Sequence, residues 1–501
     1  MTYDWIFRDA EIYDGTGAPP AVGDVAVQGD RIAEVGRVTG ETRQVIDATG
    51  LALAPGFIDV HTHDDFAAVL HPDMAFKTLG GVTTSIVGNC GMGAAPYAAA
   101  TVLARSFHPR ATLPAWEGYA GYLALLDAAP PALNVAALIG HGTVRLSVMG
   151  RKAERPSASE MSRMKDAVHE GLDAGAIGLS TGLIYEPGRH ADTEELIELT
   201  SLLRGTGALY TTHMRNEGLG LLESVDEAIR IGEAAGVGVQ ISHHKASGRD
   251  AWGLVGRSLD RIDAAQRAGL DVHADQYPYT AGSTVLSALA EGGRLGAAGG
   301  GVGSIRAEDV VIASTERRAE WEGKSVAALM AQFELDLAAT LARVLAEEPG
   351  ATVVLHAMSE DDVRTVMRHP STMIGSDGLP TLEGKPHPRL YGTFARVLGH
   401  YARDLSVLSL PDAVYRMTGF SAAKFGLRDR GVIAPGNFAD LVLFDPGAII
   451  DRGTFEDPNQ TPAGIHSVFV NGEAVVSEGL STAARPGRTL RRVDRGGPAA
   501  R

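Results

Sequence analysis

The chain has 501 residues, of which 45% are hydrophobic and 21% charged, and its formal net charge is −16. This is the balance of a soluble globular protein, too long for one ordinary compact core and too acidic to favour nucleic acid or an anionic membrane as a partner. Cys90 is the only cysteine, which excludes an intrachain disulfide. No run approaches the roughly 18 apolar residues of a membrane span, and Met1-Thr-Tyr-Asp-Trp-Ile-Phe7 does not read as a signal peptide, so a cytoplasmic location is expected.

Residues 1–54 read as short strands and turns. Asp14-Gly15 and Gly29-Asp30 mark tight turns, and Val25-Ala-Val27 and Ile32-Ala-Glu-Val35 alternate in the manner of half-buried strands. From residue 55 the pattern changes to short apolar runs separated by helical stretches. The runs are Gly56–Val60, Thr83–Gly88, Val135–Gly140, Ala176–Ser180, Ala208–Thr212, Val237–Ser242, Leu270–Ala274 and Thr372–Ser376. Ser157–Gly175 shows the helical intervals best. Ser157 and Glu160 form a possible capping box, Met161, Met164, Val168 and Leu172 share one face, and Gly175 stands where the helix should stop. Eight strand–helix units predict an α/β fold, a (β/α)₈ barrel over residues 55–427. Thr352–Leu355 is a ninth strand candidate, assigned to an insertion at about residues 284–350. Within it lies the glycine-rich run 291–304, which lacks the ending of a phosphate loop and reads as a flexible loop, with a mobile lid as the alternative. After about residue 428 short strands return, clearest in Ala439–Phe444 and Ser467–Gly472. Residues 1–54 and 428–485 therefore predict one small β domain, a sandwich built from both termini, followed by a loosely ordered tail beyond Arg485.

The chemistry-bearing residues collect at the ends of these runs. His61 and His63 follow the apolar Phe57, Ile58 and Val60. Side chains two apart on a strand face one side, so both imidazoles can address one metal ion. His-x-His alone is common in surface loops, and it is the residues downstream that give it weight. Cys90 lies among glycines just past the second run, where a thiolate would be a strong zinc ligand. His213 and His243 each end a strand, and Asp377 ends the last one. His244 is adjacent to His243 and would point the other way on a strand, so His243 is chosen and His244 is left to packing. Six potential ligands at one barrel rim are hard to explain as structural residues.

The blocks Pro55-Gly-Phe-Ile-Asp-Val-His-Thr-His-Asp-Asp65, Val87-Gly-Asn-Cys-Gly91, Gly140-His-Gly-Thr143, Thr212-His-Met-Arg215, Ser242-His-His-Lys245, Asp275-Gln-Tyr-Pro-Tyr279, Ser376-Asp-Gly378 and His387-Pro-Arg389 resemble the D-aminoacylase (N-acyl-D-amino-acid deacylase) family of the amidohydrolase superfamily. The resemblance spans nearly the whole chain, and Val87–Gly91 is its most specific part, since many other amidohydrolases bridge their metals with a carboxylated lysine. It implies a zinc-dependent hydrolase of N-acyl-D-amino acids. Cys90, His213 and His243 would form a tight zinc site. His61, His63 and Asp377 would form a second, weaker one, with Cys90 able to bridge. Asp377 would be the catalytic base, Lys245, Tyr277, Ser283 and Arg389 would hold the substrate carboxylate, and Tyr185 would stabilise the oxyanion. The glycine-rich segment Ala288–Ile305 departs from the family pattern and leaves substrate side-chain preference open. The rival readings are a cyclic-amide hydrolase, which would need a lysine near the end of the fourth strand where Gly178-Leu-Ser-Thr-Gly182 has none, and a non-catalytic barrel.

Overall fold

The structure is a computed structural model that describes residues 2–108, 111–112, 114–296 and 301–492. The chain opens with β1 (Thr2–Ile12), β2 (Ala21–Gln28), β3 (Arg31–Gly36), β4 (Glu41–Asp47) and β5 (Ala52–Pro55). Next come β6 (Phe57–Asp59), β7 (Val82–Val87), β8 (Asn134–Gly140), β9 (Gly178–Gly182), β10 (Leu209–His213), β11 (Val239–Ile241) and β12 (Val272–Gln276). Then follow β13 (Gly282–Val285), β14 (Ala290–Glu291), β15 (Arg294–Leu295), β16 (Val310–Ser314), β17 (Thr352–Leu355) and β18 (Thr372–Ile374). β19 (Leu441–Phe444), β20 (Ile465–Val470), β21 (Glu473–Ser477) and β22 (Leu480–Ser481) close the series.

Eight of these strands form one sheet in the order β18-β12-β11-β10-β9-β8-β7-β6, with every neighbouring pair parallel. They are the eight apolar runs read from the sequence, no end displaced by more than two residues. Such runs suit parallel strands because both faces are buried, one under helices and the other inside the barrel. The outer strands nearly close the barrel: Thr62 bridges Gly378, the Asp377 N–H donates to the His61 carbonyl at 2.7 Å, and the His63 N–H donates to the Gly378 carbonyl at 3.2 Å. The helix Ala158–Ala174 carries both halves of the Ser157–Glu160 capping box and stops at Gly175, whose φ of 105° favours glycine.

Between β12 and β18 the insertion folds on its own core. Its sheet runs β13-β17-β16, so Thr352–Leu355 is the central strand, and Leu286, Leu289, Trp321, Val344 and Val353 pack beneath it. The glycine-rich run is more ordered than a flexible loop at both described ends. It begins as the β14–β15 hairpin, whose turn uses Gly292 and Gly293 at positive φ. It ends against barrel loops: the Gly301 carbonyl accepts from the Glu217 N–H at 2.7 Å, and the Gly303 N–H donates to the Ser247 carbonyl at 2.8 Å. Residues 297–300 lie outside the described residues.

Strands from both termini share a second sheet, ordered β22-β21-β20-β19-β5-β1-β2-β3, with β4 added parallel to β1. β5 and β19 meet in antiparallel register, Leu53 opposite Leu443. Their alternation divides two cores. Ala52, Ala54, Val442 and Phe444 join the core shared with the barrel, while Leu53, Leu441 and Leu443 join Phe7, Val25 and Val27 in a core of the sheet's own. Among the described residues no helix is long and apolar enough to cross a membrane.

The tail corrects the sequence reading. Residues 486–492 are not loose. The Val135 N–H donates to the Arg488 carbonyl at 2.9 Å, the Leu490 N–H donates to the Val135 carbonyl at 2.7 Å, and Asn471 Nδ2 donates to the Pro486 carbonyl at 2.7 Å. Glycine and arginine composition reads as a loop, yet Gly487 is what allows this docking, because a Cβ there would lie 2.1 Å from the Leu133 carbonyl oxygen. Residues 493–501 lie outside the described residues. Truncation after Arg485 is expected to lower the thermal midpoint by several degrees, since losing partners of buried groups costs about 1–3 kcal/mol each. An unchanged midpoint in a thermal melt would show that the docked tail contributes nothing.

Candidate metal centre and active site

The barrel strands end at one rim, and their termini deliver the candidate ligand side chains there. His61 and His63 lie just past β6. The Thr62–Gly378 bridge keeps this segment extended, so both imidazoles face Asp377, whose Oδ1 lies 3.5 Å from His61 Nε2 and 3.3 Å from His63 Nε2. Cys90 follows β7 in a turn tied down by Asn89, whose Nδ2 donates to the Ile86 carbonyl at 2.9 Å. The turn packs on Gly182 so closely that a Cβ there would lie 2.0 Å from the Cys90 carbonyl oxygen. His213 is the last residue of β10.

His243 is reached differently from the expectation. β11 ends at Ile241, so neither His243 nor His244 is on a strand. His243 takes a left-handed backbone, φ 37°, and its N–H donates to Asp275 Oδ1 at 2.8 Å. His244 turns away to share a 2.8 Å hydrogen bond with Ser258 Oγ. Cys90 (φ 53°) and Asp377 (φ 49°) are also left-handed non-glycine residues. Such backbone costs of order 1–3 kcal/mol per residue and persists where surrounding contacts over-determine it, as they do at functional sites.

Buried carboxylates stand behind the imidazoles. Asp275 Oδ1 lies 3.1 Å from His61 Nδ1, Glu217 Oε1 lies 3.0 Å from His243 Nδ1, and Glu217 Oε2 lies 3.8 Å from His213 Nε2. A proton on His61 Nδ1, facing Asp275, leaves the lone pair on Nε2; His243 Nδ1 faces Lys245 Nζ at 2.9 Å as well as Glu217, and His213 Nε2 makes no hydrogen bond. The opposite ring nitrogens all face Cys90 Sγ, with His61 Nε2 at 3.3 Å, His243 Nε2 at 3.6 Å and His213 Nδ1 at 3.8 Å. Burial pushes the Cys90 thiol up, but positive charge on His61 and hydrogen bonds to the three imidazoles hold it well below its ordinary value. Two groups result, His61–His63–Cys90–Asp377 and Cys90–His213–His243, each with its ligand atoms within 4.8 Å of one another and Cys90 in both. Nitrogen, sulfur and oxygen atoms brought this close can share one cation in place of the protons between them. Mixed sulfur, nitrogen and oxygen donors suit a divalent metal of the zinc kind. The residues present therefore fit a metal.

Three contributors were not legible as site residues. Asp275 sits in a quoted motif without an assigned role, and Glu217 follows His213 by four residues, a spacing that could have drawn attention. Lys77 has no local signal. It is buried, and its Nζ donates to Asp59 Oδ2 at 2.7 Å and to Ser376 Oγ at 2.9 Å, while Asp59 Oδ1 accepts from the Ser376 N–H at 2.8 Å. This ion cluster ties the strand before His61 and His63 to the strand before Asp377.

Beside the two groups lies a narrow cavity lined by Tyr185, Lys245, Tyr277, Ser283 and Asp377 among others. Tyr185 shares a 3.0 Å hydrogen bond with Thr284 Oγ1 from the insertion and sets its ring edge against His213. Lys245 Nζ is engaged by Glu217 Oε1 at 2.6 Å. Arg389 is almost fully buried behind the cavity wall. It lies over the Tyr277 ring at 4.4 Å, donates through Nη2 to the Ser283 carbonyl at 3.2 Å and pairs with Asp377 Oδ2 at 2.9 Å. Its Nε and Nη1 have no protein partner. Burial raises the Asp377 carboxyl, but Arg389, His243 and His61 together hold it well below the usual carboxylate range.

Residues 44–476 match the model of the amidohydrolase family. The chain is 41% identical to the D-aminoacylase of Alcaligenes xylosoxydans xylosoxydans, over 98% of each chain. It is 39% identical to the N-acyl-D-glutamate deacylase of the same organism, over 98% of this chain and 96% of that one. The crystal structure of the N-acyl-D-glutamate deacylase of Bordetella bronchiseptica, complexed with zinc and a phosphonate mimic of the tetrahedral intermediate, superposes with a TM-score of 0.89 at 38% identity, covering 98% of this chain and all of that one.

Two substitutions separate the ligand groups. Cys90→Ala removes the atom common to both and is expected to purify with little bound metal. Lys77→Met leaves Cys90, His213 and His243 intact and is expected to keep one metal per chain while weakening binding at His61, His63 and Asp377. Elemental analysis and metal titration of the same preparations check both. Full metal content in Cys90→Ala would rule out the shared sulfur.

Proposed function

The chain belongs to the amidohydrolase family, and on that premise we propose that it hydrolyses the amide bond of N-acyl-D-amino acids, giving a carboxylate and a free D-amino acid. One observation carries this reading: six converging ligand atoms lie beside a buried guanidinium that keeps two donors without a protein partner. The first places an electrophilic centre next to the second, which recognises a carboxylate, and an N-acyl amino acid presents an amide and a carboxylate at that kind of separation.

Each residue has a part in the proposal. Cys90, His213 and His243 hold zinc tightly. His61, His63 and Asp377, with Cys90 shared, hold a second ion more weakly, because Asp377 is also claimed by Arg389 at 2.9 Å. Zinc bound there supplies a Lewis acid that activates water and polarises the amide carbonyl. Arg389 binds the substrate carboxylate through the Nε–Nη2 edge of its planar fork, Nη2 exchanging the Ser283 carbonyl for the substrate, with Tyr277 beneath the guanidinium and Lys245 adding positive charge nearby. Asp377 takes the proton of the attacking water and delivers it to the departing nitrogen, which would otherwise leave as a very poor amide anion. Tyr185 exchanges its bond to Thr284 for one to the carbonyl oxygen as negative charge develops there. His387 positions the clamp: Nδ1 accepts from the Arg389 N–H at 3.0 Å and Nε2 donates to the Ala281 carbonyl at 2.9 Å.

The reading extends to organisation. Residues 55–427 form the catalytic barrel, with an insertion at about 284–350, and 1–54 with 428–485 form a small sandwich around Phe7, Leu53 and Leu441. An unpaired, metal-binding thiol suits a reducing cytoplasm. A cyclic-amide hydrolase with a bridging lysine is less well supported, since β9 ends in Ser180-Thr181-Gly182.

A fixed carboxylate clamp and a fixed metal leave one direction for the side chain, so one enantiomer is expected to dominate. Release of free amino acid from N-acetyl-D-methionine is expected to exceed that from the L form by orders of magnitude, and equal rates would overturn the reading. Asp377→Asn is expected to retain metal at Cys90, His213 and His243 and to lose about 10²–10⁴-fold in kcat. Turnover within a few-fold of the parent would give the proton to another group. Arg389→Lys is expected to raise KM strongly, because an ammonium cannot reproduce two parallel hydrogen bonds.

A further inference from the structure

We propose that the connection between β19 and β20 is a clasp that sets the position of Arg389, with Phe455 and Asp451 as positioning residues. This rests on the deacylase reading above, in which Arg389 holds the substrate carboxylate.

The connection leaves the sheet of the two termini after Phe444 and returns to it at Ile465. β19 and β20 are antiparallel neighbours, which a turn of roughly two to five residues could join. The extra chain runs instead along the helix Arg389–Arg396, whose first residue is the clamp. Phe455 sets its ring edge against His387, centroids 5.1 Å apart, and His387 Nδ1 accepts from the Arg389 N–H. Gly453 lies against Pro388, where a Cβ on that glycine would stand 3.2 Å from the proline Cβ. One turn on, a Cβ on Gly392 would stand 2.8 Å from Asp451 Cβ. At the far end Asp451 Oδ2 pairs with Arg396 Nη1 at 3.1 Å and accepts from Tyr279 Oη at 3.3 Å. Beyond the helix, Arg403 Nη1 donates to the Ile449 carbonyl at 2.8 Å.

The clasp reaches the guanidinium end of the clamp as well. The Phe455 ring also stands edge-on to His356, centroids 4.7 Å apart, and packs with Ala281, Ala313 and Val354. The Ala281 carbonyl accepts from His387 Nε2. Val354 is the register partner of Ser283, whose carbonyl holds Arg389 Nη2 when no substrate is bound. One half-buried ring thus braces the Arg389 backbone through His387 and its side chain through the Ser283 strand.

Arg389 depends on such bracing. It opens a helix whose N-cap, Pro388, supplies no capping side chain, so neighbours must fix the first turn. A guanidinium that makes two parallel hydrogen bonds to a carboxylate tolerates little displacement. Phe455 and Asp451 are not among the residues lining the cavity. Their influence on a substrate therefore passes through the clamp, and it links substrate binding to the sheet formed by both termini.

The test uses the metal-loaded full chain and N-acetyl-D-methionine. Phe455→Ala is expected to raise KM about tenfold, with kcat within a few-fold of the parent and metal content unchanged, because a clamp holds substrate and transition state alike. Phe455→Tyr keeps the ring and is expected to restore most of the parent KM. Asp451→Asn is expected to act in the same direction as Phe455→Ala. In an Arg389→Lys background Phe455→Ala is expected to add little, since both changes act on one guanidinium. An unchanged KM in both Phe455→Ala and Asp451→Asn would overturn the clasp. So would a loss confined to kcat or to bound metal, or effects that multiply fully in the Arg389→Lys background. No turnover of any N-acyl-D-amino acid by the parent would overturn the deacylase reading, and this inference with it.

Discussion

Three imidazoles bring ring nitrogens to within 3.8 Å of one sulfur, and much of the barrel rim is arranged to keep them there. Buried carboxylates stand behind two of the rings: Asp275 Oδ1 faces His61 Nδ1 and Glu217 Oε1 faces His243 Nδ1. A carboxylate in that place favours a proton on the far nitrogen and so a lone pair toward the sulfur, which is the arrangement that a cation among these atoms uses. At His243 that pull is shared with Lys245 Nζ at 2.9 Å, and His213 Nε2 makes no hydrogen bond. The carboxylates are as much a part of the candidate centre as the side chains that converge there, because they orient the rings.

Holding that arrangement requires strain and something to resist it. Cys90, His243 and Asp377 all adopt left-handed backbone, and each lies next to a fixed partner: Asn89 for the Cys90 turn, Asp275 for His243, and the His61 carbonyl for Asp377. The barrel seam is the weakest place for such a load, since β6 and β18 meet through one bridge rather than a full ladder. The buried Lys77–Asp59–Ser376 cluster sits at that seam. A buried ion pair adds little net stability over an apolar packing, but it fixes position because moving either partner uncovers a charge. Here the position fixed is that of His61 and His63 relative to Asp377.

The parts of this design that follow local chemistry were legible in the sequence. Apolar runs of the right length gave all eight barrel strands within two residues of their ends, and the Ser157–Glu160 box and Gly175 bounded a helix that forms as read. The six candidate ligands could be singled out because each follows such a run, and their ligand atoms lie together in the fold. His243 was chosen over His244 by a strand argument that does not apply, since the strand stops at Ile241 and a turn does the selecting. Glu217, Asp275 and Lys77 were missed as site residues for one physical reason. Most of their partners are distant in sequence, 214 residues for Asp275 and His61 and 299 for Lys77 and Ser376, and no local period encodes that; only the four-residue spacing of His213 and Glu217 was a local signal. The tail was misread because composition reports what a segment tends to do alone, whereas Gly487 serves an approach to Leu133 that exists only in the folded chain.

The candidate centre and the wall of the cavity beside it come from different parts of the chain. The converging ligand atoms, the carboxylates behind them and Arg389 all sit on barrel strands or on the loops and helix turns next to them, packed into a buried rim. The surface facing the substrate beyond the clamp comes largely from the insertion, which has a separate sheet and core and touches the centre through few contacts, Tyr185–Thr284 and Arg389–Ser283 among them. Residues such as Leu289 and Leu355 serve both the insertion's core and the cavity wall, so a charge introduced there would cost the insertion stability as well as alter recognition. A residue that lines the cavity outside the insertion's core carries no such double load, and Met358, packed with the barrel core beside Tyr277, is one.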